Sequence, residues 1–316
     1  MWTSRSAEDR AAILDATAAA GIPWVRMDVG WQNLQPTSAD SYDPDAVAEL
    51  DTRLQEIADR GLSALVMFWW APQWSSGTPD KRGVPADPND YARAAAWMVQ
   101  QWPDQISALQ VWNEPNLPEF FESTSASAYA ELLKATYPLV KQARPDLPVV
   151  TAGPANLDPQ WYADFYDSDV IGSFDALGAH PYPRVGDLPP SECLLAENTG
   201  CNLNWLVDYK AERGDASSPI WVTEFGYSTH DDLPELQPWQ RGVTEQEQAQ
   251  YTAEMMAYFT TIPEVAAAFL YRDRDFDDAD AHQNGFGILR LDNSPKPVYA
   301  VLTCSPTSRC EELAAN

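Results

Sequence analysis

Seven short runs of apolar, β-branched or aromatic residues recur along the chain: Trp24–Met27, Ala64–Phe68, Ile106–Trp112, Pro148–Ala152, Phe174–Ala179, Ile220–Thr223 and Val265–Tyr271. Each is apolar along nearly its whole length instead of alternating with polar residues, the pattern of a strand covered on both faces. Between most of them the apolar positions adopt a helical period. Asp43-Pro44 opens a stretch in which Val47, Leu50, Leu54 and Ile57 share one face before Gly61 ends it. Thr244 and Glu247 have the spacing of a capping box at another helix start. Strands separated by helices predict parallel β/α units. Their spacing, about 40 residues and irregular, suits a barrel and not a solenoid.

The pattern departs from an eight-fold repeat at its start, where Ser6 caps a helix running to Gly21 and no apolar run precedes it. The expected fold is therefore an α/β protein, a (β/α)8 TIM barrel whose first strand is either absent from the chain or replaced by another closure. A doubly wound open sheet ranks below it, because no Gly-x-Gly-x-x-Gly phosphate loop follows any strand. No linker, low-complexity tract or shift in composition divides the chain, so residues 1–316 read as a single domain. The Pro-rich stretch from Pro181 to Pro190 reads as a long loop.

Composition narrows the function. A chain that is 45% hydrophobic and 21% charged has the balance of a globular protein, yet its 13 Trp exceed what a core of this size needs, so some rings should face a ligand. The formal charge of −27 argues against nucleic acid and against an anionic membrane surface, and predicts a neutral substrate. No segment approaches the roughly 18 to 20 apolar residues of a membrane span. His180, His230 and His282 stand apart without metal-ligand spacing, so neither a metal nor a cofactor is expected. A Ser-His-Asp hydrolase is discounted because no Gly-x-Ser-x-Gly elbow occurs.

The cysteines fall into two close pairs, Cys193 with Cys201 and Cys304 with Cys310, each in a polar loop. Two local disulfides are expected, one of three possible connectivities, and neither pair has Cys-x-x-Cys spacing. An oxidising compartment follows, and with it an exported mature domain whose targeting segment has been removed.

Chemistry-bearing residues of a barrel lie where apolar strands turn polar at their C-terminal ends. The run Ser107 to Trp112 ends in Asn113-Glu114-Pro115-Asn116, and the run Pro219 to Thr223 ends in Glu224-Phe225-Gly226. Two carboxylates therefore face one mouth, 110 positions apart. A carboxylate at the end of a buried strand is costly unless it has partners or a task. A pair across a mouth is what glycoside hydrolysis needs, one group protonating the leaving oxygen while the other attacks the anomeric carbon or activates water. The sequence leaves the separation open, and the separation decides between retention and inversion.

Val-Trp-Asn-Glu-Pro-Asn-Leu at 111–117, and the later Arg-Pro-Asp-Leu-Pro-Val-Val-Thr-Ala-Gly-Pro-Ala, resemble the clan A glycoside hydrolases, most closely family 39 with its β-xylosidases and exopolysaccharide hydrolases. Segments 20–28, 178–183, 221–226 and 293–299 fall in the order that clan uses, so the resemblance covers most of the chain. It implies that Glu114 is the general acid/base, that Glu224 is the nucleophile, and that a β-linkage is cleaved with retention. It further implies that Asn113 holds the sugar's 2-hydroxyl, that Arg26 keeps Glu224 ionised, and that His180 and Tyr182 line the sugar site, with Tyr182 donating to the nucleophile. An aromatic residue at the last strand is also implied, and here it is Tyr271.

Trp31, Trp69, Trp70 and Trp74 follow the strands that end near Arg26 and Phe68, with Trp31 and Trp70 assigned to sugar subsites; alternation along Phe68-Trp69-Trp70 predicts that the two neighbours face opposite ways. Arg272-Asp273-Arg274-Asp275 departs from the clan pattern and reads as a solvated loop in preference to a subsite for a charged or amino sugar. The expected partner is a carbohydrate and the expected state a monomer outside the cell. A carbohydrate-binding barrel without catalysis, and a transglycosylase, remain the alternatives.

Overall fold

The computed structural model describes residues 5–195, 200–231, 235–277 and 280–303. It contains the strands β1 (Trp24–Gly30), β2 (Ser63–Trp69), β3 (Ile106–Val111), β4 (Val149–Thr151), β5 (Leu177–Ala179), β6 (Ile220–Phe225) and β7 (Val265–Leu270). All pairings between them are parallel, β1 to β4 in one ladder and β5 to β7 in another. The parallel bridge between Val150 and Ala176 joins the two ladders, so the strands follow one another around a barrel in chain order. The seven apolar runs and the seven strands coincide within a few residues at each end.

The helices that cover the barrel are α1 (Ala7–Ala19), α2 (Pro44–Ala58), α3 (Pro88–Gln101), α4 (Ala126–Ala143), α5 (Pro159–Tyr166), α6 (Asn204–Glu212), α7 (Glu245–Thr260) and α8 (Pro297–Thr303). Their starts follow local chemistry. Ser6, Asp43, Asp87, Ser125, Asp158 and Thr244 each turn a side-chain oxygen to an N–H of the first turn, and Thr244 closes the capping box with Glu247.

The interior is layered by the two-residue period of the strands. Leu65, Ala108, Val150, Ala176 and Phe269, with Trp24, Trp221 and Ala267 against them, form an apolar cluster separate from the main core. Two residues further along the same strands come Arg26, Met67, Gln110 and Thr223, a polar layer hydrogen-bonded across the barrel. The apolar layer seals the floor, and the polar layer supports whatever stands at the mouth.

Among the described residues no strand lies between β7 and β1. Trp24 closes that side by edge contacts to Trp221 and Phe269, with centroids 5.7 and 6.2 Å apart, while Ala266 and Ala268 of β7 are exposed. The ends of the barrel are tied here by α1: Arg5 pairs with Asp273, Asp9 with Arg274, and the Tyr299 hydroxyl of α8 donates to the Ala16 carbonyl.

Cys193 and Cys201 are joined, both fully buried, with Cα atoms 5.8 Å apart. Cys304 and Cys310 lie outside the described residues. Closing a loop of this length in the unfolded chain is worth about 2.5 kcal/mol. The double variant Cys193→Ser, Cys201→Ser is expected to lose that much stability in a guanidinium titration; an unchanged midpoint would mean that the bond constrains nothing.

Candidate active site

The two carboxylates reach the mouth by different local devices. At the end of β3 the backbone takes positive φ twice, 67° at Trp112 and 39° at Glu114, a region that costs a non-glycine residue of order 1–3 kcal/mol and collects at functional sites. Trp112 turns outward and is fully buried against Tyr91 and Phe121. That anchor leaves Asn113 and Glu114 over the barrel axis. On β6 the ladder to β7 shifts register between Val222 and Phe225. An irregularity of this kind re-aims side chains, and here both Thr223 and Glu224 hydrogen-bond within the barrel.

Glu224 is 5% and Glu114 7% exposed. Arg26 Nη1 donates to Glu224 Oε1 over 2.5 Å, and the Tyr182 hydroxyl donates to Oε2 over 3.2 Å. Arg26 is itself fixed by Gln110 Oε1 and Asn113 Oδ1, each 2.7 Å away. Because Arg26 takes the amide oxygen of Asn113, the NH2 end is left as its donor. Glu114 Oε1 lies 2.8 Å from His180 Nδ1, and His180 Nε2 lies 3.0 Å from Thr223 Oγ1. Gln110 donates to that hydroxyl over 3.0 Å and to the Thr151 carbonyl over 3.2 Å. Thr223 therefore accepts from Gln110, and its second lone pair and its proton both remain for Nε2, while Nδ1 faces Glu114.

These environments push the two acids apart. Burial raises the Glu114 carboxyl above its ordinary value, and the bond and charge of His180 only partly offset it. Burial acts on Glu224 in the same sense, but there the charges of His180 and Arg26 and the hydrogen bonds from Arg26 and Tyr182 outweigh it and hold the group low. Tyr182, raised by burial and by the neighbouring Glu224, stays a protonated donor. At intermediate pH one carboxyl keeps its proton and the other is ionised, the division of labour of an acid and a nucleophile.

Glu114, His180 and Glu224 present ligand atoms within 4.8 Å of one another, close enough for a divalent cation. The guanidinium on Glu224 Oε1 already places a fixed positive charge beside the group, and His180 Nδ1 is taken by Glu114, so the residues present fit a pair of carboxyls in different protonation states better than a metal centre.

A cavity of about 1070 Å³ opens on both carboxylates and on Arg26, Asn113, Trp69 and Tyr271, and runs down the side of the barrel between β1 and β7. Tyr271, its phenol pushed up to about 12 by burial, stands edge-on to Tyr182 at 6.3 Å. Trp69 and Phe120 supply further rings, 5.8 Å apart, of the kind on which the C–H faces of sugars pack.

Two sequence-based assignments are corrected. Trp31 is fully buried among Phe68, Trp74 and Tyr91 and donates to Gln35, so it is core and lines no subsite. Trp70 does not face away from Trp69: its φ of 63° ends the strand alternation and lays its ring on Trp69 at 3.8 Å, with Lys81 on its face at 4.1 Å. Of these two Trp69 lines the cavity, with Trp70 behind it. Sequence reasoning missed Gln110 and Thr223. Gln110 carried a signal, since it is a lone amide inside an apolar strand.

Gly153 makes room for His180. A Cβ there would lie 2.3 Å from His180 Cδ2, so Gly153→Ala must displace the imidazole. Since a misplacement of about 1 Å can cost on the order of 10²-fold in rate, kcat is expected to fall by about that factor with the fold retained; an unchanged kcat would show that His180 does not position Glu114.

Residues 57–292 match the family model of the glycosyl hydrolase catalytic core. Among solved structures, the chain is similar to a family 39 glycoside hydrolase from the gut symbiont Bacteroides cellulosilyticus, at TM-score 0.70 and 21% identity over 95% of this chain and 61% of that one. It is similar to a monomeric beta-xylosidase from Caulobacter crescentus, at TM-score 0.68 and 16% identity over 94% and 64% of the two chains. A family 5 glycoside hydrolase from Streptomyces cattleya, in complex with Manb1-4GlcNAc, superposes at TM-score 0.75 and 16% identity over 96% and 75%. This chain thus spans less than two thirds of the length of the first two. At these identities the likeness establishes the fold, an α/β barrel.

Proposed function

Because the chain belongs to the family of the glycosyl hydrolase catalytic core, we propose that it is a β-glycosidase working by double displacement with retention, Glu224 as nucleophile and Glu114 as acid/base. The observation that carries this reading is the carboxylate pair itself, with oxygens within 4.8 Å and protonation pushed in opposite directions. Retaining enzymes hold the two groups about 5–5.5 Å apart, and inverting enzymes leave about 6.5–9.5 Å for a water.

Ionised Glu224 attacks the anomeric carbon as Glu114 gives its proton to the departing glycosidic oxygen, forming a glycosyl ester on Glu224 and a free alcohol. Glu114, now a carboxylate beside His180, takes a proton from water. The hydroxide oxygen bonds the anomeric carbon and Glu224 leaves, restoring both groups. The NH2 of Asn113 holds the 2-hydroxyl through both steps, and Tyr182 keeps one Glu224 oxygen bonded while the other reacts. The buried disulfide supports an oxidising compartment, which suits an exported carbohydrate-active enzyme.

Glu114→Gln separates this reading from a binding-only barrel. Loss of the acid is expected to lower kcat/KM by about 10²- to 10⁴-fold on oligosaccharides, and by much less on aryl β-glycosides whose leaving groups need no proton. Equal losses on both, or no hydrolysis of any β-glycoside by the wild type, would contradict it.

A further inference from the structure

The charged run after β7 is not solvated. Asp273 takes Arg5, Arg274 takes Asp9, and Asp275 takes Lys296. Arg272, the first of the run, is 8% exposed. Its Nη2 donates to the Tyr271 hydroxyl over 3.1 Å and to Gln283 Oε1 over 3.0 Å, both neutral acceptors. Its guanidinium carbon sits 4.2 Å from the Phe276 centroid and 4.8 Å from that of Tyr271, while Nε is buried without a hydrogen-bond partner.

Other buried cations are treated differently. Arg5, Arg53 and Lys296 each hold a carboxylate, and Lys210 is capped by backbone carbonyls. Among the described residues Arg272 has no carboxylate partner, in a chain with 47 acidic residues against 20 basic ones. A buried cation without a counter-ion is costly, and here its cost falls inside the cavity that holds both catalytic carboxylates. The position is defined: Arg272 bonds Tyr271, Tyr271 faces Tyr182, and Tyr182 bonds Glu224.

We propose that Arg272, with Gln283 and Tyr271, forms a subsite for an anionic substituent of the sugar chain, a carboxylate or a sulfate, so that the substrate is an acidic glycan. The inference rests on the glycosidase reading and sharpens it. A guanidinium offers five N–H donors in a planar fork suited to such oxyanions, and Nη2 alone is engaged by protein acceptors. The overall charge of −27 does not oppose this locally, because fields from exposed charges fade over about 8 Å at physiological salt.

Calorimetric titration of the whole chain at about 0.15 M salt tests it with sugar pairs that differ in one group: glucuronate against glucose, galacturonate against galactose, and glucose 6-sulfate against glucose. At least one acidic member is expected to bind tenfold or more tighter than its parent. Whether uronate or sulfate shows the gain identifies the source of the charge. Arg272→Met is expected to abolish the difference and Arg272→Lys to retain part of it, since lysine keeps the charge without the fork. Equal binding within every pair by the wild type, or an advantage that survives Arg272→Met, would overturn the proposal. Hydrolysis of neutral aryl β-glycosides that is lost in Glu224→Gln is scored separately, so the subsite can fail while the glycosidase stands.

Discussion

Glu224→Gln is expected to lower kcat by about 10⁴-fold or more on every substrate, activated aryl glycosides included. The amide is nearly isosteric but cannot attack the anomeric carbon, and the covalent step has no substitute. This separates it from Glu114→Gln, whose deficit depends on the leaving group. Folding should survive, because Arg26 retains Gln110 and Asn113 as acceptors at 2.7 Å. Kinetics on one aryl glycoside and one oligosaccharide, beside a thermal scan, reads the result. A variant that keeps a tenth of the wild-type rate would remove Glu224 from the nucleophile's role.

Arg26→Met carries the second large effect, on stability and on pH dependence together. It removes one partner of a buried ion pair whose side chains are 12% and 6% exposed and leaves Glu224 buried without its cation. Breaking such a pair costs about 3–5 kcal/mol. Glu224 is held below its ordinary value in the folded protein. Its contribution to stability is therefore present above the unfolded-state value and is lost as pH falls through the depressed one. Without Arg26 that value rises, so the acid limb of the kcat/KM profile should move to higher pH. The alkaline limb, set by Glu114 giving up its raised proton, should move less. Parallel pH profiles and unfolding curves check both expectations; an unmoved acid limb would show that Arg26 does not set the ionisation of Glu224.

Much of this was legible in the sequence because strands buried on both faces announce themselves as apolar runs, and the residue that ends such a run must stand at the barrel's mouth. Glu114, Asn113 and Glu224 were found that way, and Arg26 came from the family resemblance. The order of the strands followed from the helices between them.

What was not legible depended on backbone states and long-range neighbours. Period-two alternation assumes extended backbone, and a φ of 63° at Trp70 breaks it, so the rings of Trp69 and Trp70 lie against each other, tilted by 33°. Trp31 looks in sequence like any tryptophan after a strand; only its neighbours show it to be core. Gln110 and Thr223 could have been suspected as polar residues in apolar strands, but their joint hold on Arg26 and His180 needed the barrel to bring residues 113 positions apart to 3.0 Å. Arg272 was taken for a solvated charge because it opens a run of four charged residues, and only the packing of Phe276 and Tyr271 reveals its burial.

The central claim, a covalent intermediate on Glu224, is tested most directly by the anomeric configuration of the first sugar released from a β-glycoside, followed by proton NMR before mutarotation. Double displacement predicts that the β-anomer appears first and the α-anomer grows in later. Initial release of the α-anomer would contradict the account, since it requires a water, not Glu224, to have struck the anomeric carbon.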